Sequence, residues 1–339
     1  MKVAISTDWV IGRDHAIEML DMLAELYREA DLYTLAYKPE SLLGPVVERP
    51  IHATFLSNKV QGSDEIFNWA FALPSSLKGL FIPCSTDAII NISRGLSHGF
   101  KKCEKTPLYT YVYELFWLSR KPQGWKQKLF WSQAKNFAIK EFKKAKKIWA
   151  ANQIIHDELL AHGIESEILE PFFKVEEFPL FPESVFKREA ILIDPGTLSF
   201  SEIEQLLMSL EGEKVRLLGN PLPNLDPALF LGTPCAGELA PIFASSKLLI
   251  SFDDSVFPKN ALAMLSCGGR VLCPMDSNQK IYLEGEGVRF IEKSDLLTLS
   301  DLNLLQDWNP EPKKLHAHAN RFHGTRFKRK IEVSISNHS

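Results

Sequence analysis

The sequence predicts an α/β protein built as two successive doubly wound domains, each a parallel sheet with helices on its faces. Three observations carry that prediction. Short β-branched or apolar runs alternate with longer segments of helical period, as repeated βα units require. The chain has 339 residues, more than one core of ordinary size fills. The alternation also breaks once, in a stretch rich in proline and phenylalanine, and then resumes.

Val3–Ser6 is an apolar run of strand length. A helical pattern follows over Ala16–Ala30, with Ile17, Leu20, Leu23, Ala24 and Tyr27 in phase. Leu32–Leu35 and Ala88–Ile92 read as further strands, with helices around Ile66–Ala72 and over Gln127–Lys147. Ile148–Ala151 reads as the late strand of this half, and Ile154–His162 as the helix after it. Between Pro171 and Pro182 the periodicity collapses, which sets a linker at residues 171–188. The first domain is then 1–170 and the second 189–315, with a closing helical segment 316–339. In the second series the strands are Ala190–Ile193, Lys214–Leu218, Lys247–Ser251 and Arg270–Cys273; the helices are Ser201–Leu210, Gly237–Ser245 and Asn260–Ser266. In such sheets ligands bind beyond the carboxyl ends of the strands, so the expected site is a cleft between the two domains.

Composition narrows the class. With 45% hydrophobic and 24% charged residues the chain suits a folded globular protein. Its five cysteines are scattered, without a Cys-x-x-Cys pair, and are expected to be reduced thiols in a cytoplasmic protein. Met1–Ser6 runs into Thr7 and Asp8 after too few apolar residues for a signal-peptide core. No apolar run approaches the ~20 residues of a membrane span. Charge is uneven: Lys101–Lys147 holds thirteen lysines and arginines against Glu104, Glu114 and Glu141, in a chain of net charge -3. Within it Trp125, Phe130, Trp131, Phe137 and Phe142 interleave with lysines, including Lys126. Residues 125–147 therefore read either as a basic, aromatic surface for peripheral contact with anionic lipid or as a domain helix with solvated lysines. No nucleic-acid motif accompanies them.

The segments Asp8–Gly12, Glu25–Leu35, Ile51–Leu56, Asp87–Ser93 with Gly99, and Ala150–Asn152 follow one another in a recognisable order. Phe230–Gly232, Glu238-Leu239, Ala244–Ser246, Leu248–Ile250, Cys267–Val271 and Ala317–Phe322 continue it. In this order the chain resembles the family 4 retaining glycosyltransferases of bacterial polysaccharide assembly, most closely their mannosyltransferase-like branch. The resemblance implies the GT-B fold, two Rossmann-like domains facing each other across a cleft. It also implies transfer of a sugar from a nucleotide-sugar donor to a carbohydrate or lipid-linked acceptor. The nucleotide-sugar would be a substrate; no cofactor and no metal are expected, since no Gly-x-Gly-x-x-Gly, P-loop, His-Glu-x-x-His or metal-spaced cluster occurs.

Four hallmarks of that family are missing. Pro195 and Phe200 stand where an Arg and a Lys grip the donor phosphates, and no Lys or Arg occurs from Glu189 to Glu213. Ser255 and Ala263 occupy the positions of its paired glutamates. His15-Ala16 replaces a glycine pair, and Thr110 replaces a histidine. A second reading follows: a non-catalytic GT-B subunit that binds acceptor while a partner glycosyltransferase performs the chemistry. The residues left for a site are His98, Glu114 and Asp8 for catalysis and Gly12, His15, Gly196, Lys259 and Asn260 for the donor. Lys259-Asn260, after Phe257-Pro258 at a helix start, suits a phosphate, or is solvated helix end. Asp8 either meets a ligand or caps the following loop, His98 is either acid–base or structural, and Glu114 either catalyses or pairs with nearby cations.

Overall fold

The computed structural model describes residues 1–12, 14–41, 44–122, 124–182, 184–232, 234–299 and 307–336; the side chain of Lys126 lies outside the described set. The chain forms two compact units, Met1–Pro171 with the described residues from Lys330 on, and Phe172–Arg329.

The first unit holds a seven-stranded parallel sheet. Its strands are β1 (Val3–Val10), β2 (Asp31–Tyr37), β3 (Ile51–Ala53), β5 (Ala88–Ser93), β7 (Leu108–Val112), β8 (Lys147–Ala150) and β9 (Glu167–Ile168), in the order β3-β2-β1-β5-β7-β8-β9. A separate parallel pair joins β4 (Phe81–Ile82) to β6 (Lys101–Lys102). The central strands are covered on both faces: every residue of β1, β5 and β7 is buried. Such strands lose the alternation that marks a half-exposed strand. That is why Leu108–Val112 escapes a periodicity reading, and why β1 runs four residues beyond the expected Ser6, through polar Thr7 and Asp8.

The helices differ from expectation where proline or strand demand intervenes. Around Ile66 the chain makes a 3-10 turn, Ser63–Trp69, and then a separate helix, Leu73–Gly79, with Pro74 in its first turn. There proline loses no hydrogen bond. The expected helix over Gln127–Lys147 spans Gly124–Phe142, and Lys147 instead starts β8. On that helix Ala134 and Ala138 are buried in the core against which Phe130, Trp131 and Phe137 pack, and Phe142 is buried too. Most of its aromatics therefore face inward, leaving Trp125 and Leu129 exposed in the first turns.

The second unit holds a five-stranded parallel sheet of β10 (Ala190–Asp194), β11 (Val215–Leu217), β12 (Ser246–Ser251), β13 (Arg270–Pro274) and β14 (Val288–Ile291), ordered β11-β10-β12-β13-β14. Phe173, Val175 and Phe178, within the proline and phenylalanine stretch, are buried in this unit's core beside Phe243 and Leu262. The last described helix is Gly324–Ser336. Its end returns to the first unit, where Lys330 pairs with Glu167 at 2.5 Å and Ser334 accepts from Lys147 at 3.1 Å. Among the described residues no helix is long and apolar enough to cross a membrane.

The expectation of five thiols is corrected. Pairing of β4 with β6 brings the residues just beyond them together, and Cys84 is bonded to Cys103, with Cα atoms 5.2 Å apart. Cys235 is an exposed thiol, and Cys267 and Cys273 are buried ones. Alkylation of the denatured protein without reductant should therefore label three of its five cysteines. Labelling of all five would remove the Cys84–Cys103 bond.

Candidate functional site

In the first sheet β1 has β2 on one side and β5 on the other, so the strand order reverses between β1 and β5. Asp8 lies at the carboxyl end of β1 at this switch point and is fully buried. Its Oδ1 accepts from the backbone N–H groups of Leu96 (2.8 Å) and Ser97 (3.2 Å). Its Oδ2 accepts from the Arg94 N–H (2.6 Å) and the Ser97 hydroxyl (2.7 Å). Burial pushes the carboxyl's pKa up, and these donors with the Arg94 charge oppose the shift. Asp8 thus shapes the loop after β5 and has no face to a ligand.

That loop aims Arg94 along the carboxyl edge. Its guanidinium meets Asp14 at 2.6 Å and Glu114 at 3.3 Å, and lies over the rings of Trp9 (5.0 Å) and Tyr113 (5.7 Å). Burial acts against its charge, but Asp14 and Glu114 outweigh it and raise its pKa. Glu114 also accepts from the Ser119 hydroxyl and lies 3.8 Å from Arg120 Nε. Asp14 caps the helix His15–Leu26 by accepting from the Ile17 N–H, and its side chain keeps 44% exposure. His15 is buried next to Tyr113, with ring centres 5.7 Å apart. Gly12 sits at φ +71° and donates its N–H to Ser41 Oγ at 2.7 Å. Only glycine takes that backbone cheaply.

Asp8, Gly12, His15 and Glu114 therefore gather at one edge. The sequence reading missed Arg94, Asp14, Tyr113 and Arg120, which hold them together; an arginine just beyond a buried strand was the available signal for the first. His98 belongs elsewhere. Its Nε2 contacts the Ala138 carbonyl (2.8 Å), its Nδ1 contacts Ser93 Oγ (3.0 Å), and its ring stacks on Phe142 at 3.6 Å. Burial drops its pKa to about 3. It is a neutral structural ring with both nitrogens engaged.

The second sheet reverses between β10 and β12. Asp194 ends β10 there and accepts from Asn260 Nδ2 at 2.8 Å. The loop beyond it turns at Gly196, φ +45°, where an added Cβ would lie 2.0 Å from the Phe252 carbonyl oxygen. Glycine is required by that approach. Asp253, just beyond β12, accepts from the Ser255 N–H (2.9 Å), the Ser255 hydroxyl (2.6 Å) and Gln279 Nε2 (3.0 Å). Burial first, and Asp253 second, lift the Asp194 pKa to about 6. Burial together with the same two carboxylates pushes the Cys273 thiol to about 12. Lys259 opens the helix Lys259–Ser266, whose first turn has no acidic residue. Asn260 is thus engaged by Asp194, and Gly196 packs on backbone. Ala263 is buried core.

No protein-family description matches the chain, and no curated protein is similar to it. Solved structures are. Anabaena HepE, crystallised with UDP, superposes with a TM-score of 0.67 at 12% identity, over 99% of this chain and 100% of that one. A glycosyltransferase from Rickettsia africae gives 0.62 at 12% identity, over 100% and 99%. A UDP-N-acetylglucosamine 2-epimerase gives 0.56 at 13% identity, over 95% and 92%. The chain has the α/β GT-B fold. A fold shared by transferases and epimerases leaves function to the site.

Asp194 offers a direct check. Its raised pKa costs stability above pH about 6, and the cost fades as pH falls toward the ordinary value of 3.8. Asp194→Asn should raise unfolding free energy at pH 7.5 by about 1 to 3 kcal/mol, with the gain vanishing near pH 4. Urea denaturation at the two pH values measures it. A variant less stable than wild type at pH 7.5 would contradict the assignment.

Proposed function

We propose that this protein is a glycosyltransferase-like subunit of glycoconjugate assembly that binds a carbohydrate or lipid-linked acceptor and leaves catalysis to a partner glycosyltransferase. The observation that carries this reading is the charge at the second switch point. A departing nucleoside diphosphate develops negative charge and needs cations aimed at it. Asp194 and Asp253 supply the opposite sign, and the chain from Glu189 to Glu213 has no lysine or arginine. The first unit's edge, by contrast, keeps a built polar network in which the partly exposed Asp14 and Arg120 suit sugar hydroxyls. A lipid-linked acceptor would bring the protein to a membrane surface. Trp125 and Leu129, exposed beside Lys128, are the part of residues 125–147 suited to that peripheral contact.

A second reading has its own support. The helix Lys259–Ser266 starts with a lysine and no first-turn acid, and HepE is a GT-B protein solved with UDP and with UDP-glucose. Here the chain itself transfers a sugar from a nucleotide-sugar. Lys259 and Asn260 take the donor phosphates, and Glu114 serves as the carboxylate nearest the first unit's edge.

A thermal-shift screen separates the two. Under the first reading UDP-, GDP-, ADP- and CMP-sugars leave the unfolding temperature unchanged, while acceptor oligosaccharides raise it. A donor sugar that binds adds about 2.7 kcal/mol at a hundred times its Kd. Such a gain, lost in Lys259→Ala, would overturn the first reading in favour of the second.

A further inference from the structure

The first unit carries a second concave surface, reaching the amino-terminal end of β7, whose carboxyl end leads to the Arg94 network. Leu108, the first residue of β7, lines a cleft of about 590 Å³ with Lys78, Lys101, Lys102 and Lys144. Glu104 and Glu141 are the carboxylates of its lining, so four ammonium groups face two carboxylates.

The partners of these lysines decide what is missing. Lys144 meets both oxygens of Glu141 at 2.7 Å. Lys102 donates to the carbonyl oxygens of Thr106 (2.7 Å) and Cys103 (3.3 Å), which accept its protons without cancelling its charge. Lys101 lies over the Phe81 ring at 5.8 Å. Burial, and then the nearby Lys144 charge, pull the Lys102 pKa down, against a smaller opposing pull from Glu104 and Glu141. Two cations that repel across a partly desolvated cleft are relieved by an anion between them. The position of Lys101 and Lys102 is fixed, since Cys103 follows them directly and is bonded to Cys84 beyond β4. The volume falls within the range of small-molecule pockets, roughly 300 to 1,000 Å³. Inorganic phosphate alone would fill a small part of it, and Phe100 and Leu108 offer apolar wall for an organic body.

We propose that this cleft binds a phosphate ester, with its phosphate or diphosphate seated between Lys102 and Lys144 and Lys101 and Lys78 at the rim. The site is independent of the second unit's switch point and of the function proposed above. It gives the basic stretch Lys101–Lys147 a soluble, small-molecule role on the side of the unit away from Asp14 and Arg94.

Calorimetric titration of the full chain with inorganic pyrophosphate at about 0.1 M salt tests it. Saturable binding is expected. Lys101→Gln with Lys144→Gln, both at exposed positions, should weaken it about tenfold, the loss of one or more charge-assisted contacts. Glu141→Gln removes a competing carboxylate and should tighten binding several-fold, which a merely unfolded variant would not do. Lys259→Ala should leave it unchanged. Absence of saturable binding in the wild type would overturn the proposal, as would equal affinity in all variants or loss confined to Lys259→Ala.

Discussion

A carboxylate taken out of water must be given donors, and the first unit is arranged around how Asp8 meets that demand. Three backbone N–H groups and one hydroxyl from Arg94–Ser97 converge on it. The chain leaving β5 therefore has little choice of path. That path turns Arg94 onto Asp14 and Glu114, and carries His98 back to the Ala138 carbonyl on the helix Gly124–Phe142. Charged hydrogen bonds of this kind are stronger than neutral ones, and leaving either side unmet is costly in a buried setting. The same constraint, less fully met, governs the second unit. Asp194 occupies the matching place at its switch point but has Asn260 and the Gly196 N–H for donors, and Asp253 for a neighbour. One aspartate is locked as scaffold. The other retains a proton affinity near neutrality.

Much of the fold was legible in the sequence, because strand and helix periods are local signals. The elements that escaped did so for physical reasons. Leu108–Val112 is buried on both faces and shows no alternation. The short β3 and β14 offer too few residues for a period. The Cys84–Cys103 bond depends on the pairing of β4 with β6, two-residue strands invisible to a pattern search. The site was legible only in part. Asp8 could be picked out by its place at the end of the first strand, and Gly12, His15 and Glu114 through the family resemblance, but Arg94 joins them through contacts 80 and 20 residues away in sequence. His98 stood open as acid–base or structural because a sequence does not reveal that both its nitrogens are taken.

The two switch points thus differ in charge. The first keeps a dense network of opposite charges around an aromatic floor of Trp9 and Tyr113. The second sets Asp194 beside Asp253, and Lys259 opens the helix whose Asn260 donates to Asp194. The low-dielectric setting magnifies that sign, since Asp194 is buried and its field is poorly screened. Loss of an arginine and a lysine alone would weaken donor binding. Asp194 and Asp253, beside Pro195, add negative charge that opposes an anion there.

The central claim is that these carboxylates exclude a nucleoside diphosphate from the second unit. Calorimetric titration of UDP into the wild type and into the variant carrying Asp194→Asn and Asp253→Asn tests it most directly. The account predicts weak or no binding at pH 7.5 in the wild type and a gain of at least about tenfold in the variant, as expected for removing two opposing charges. Equal affinities, or tight binding to the wild type, would contradict it.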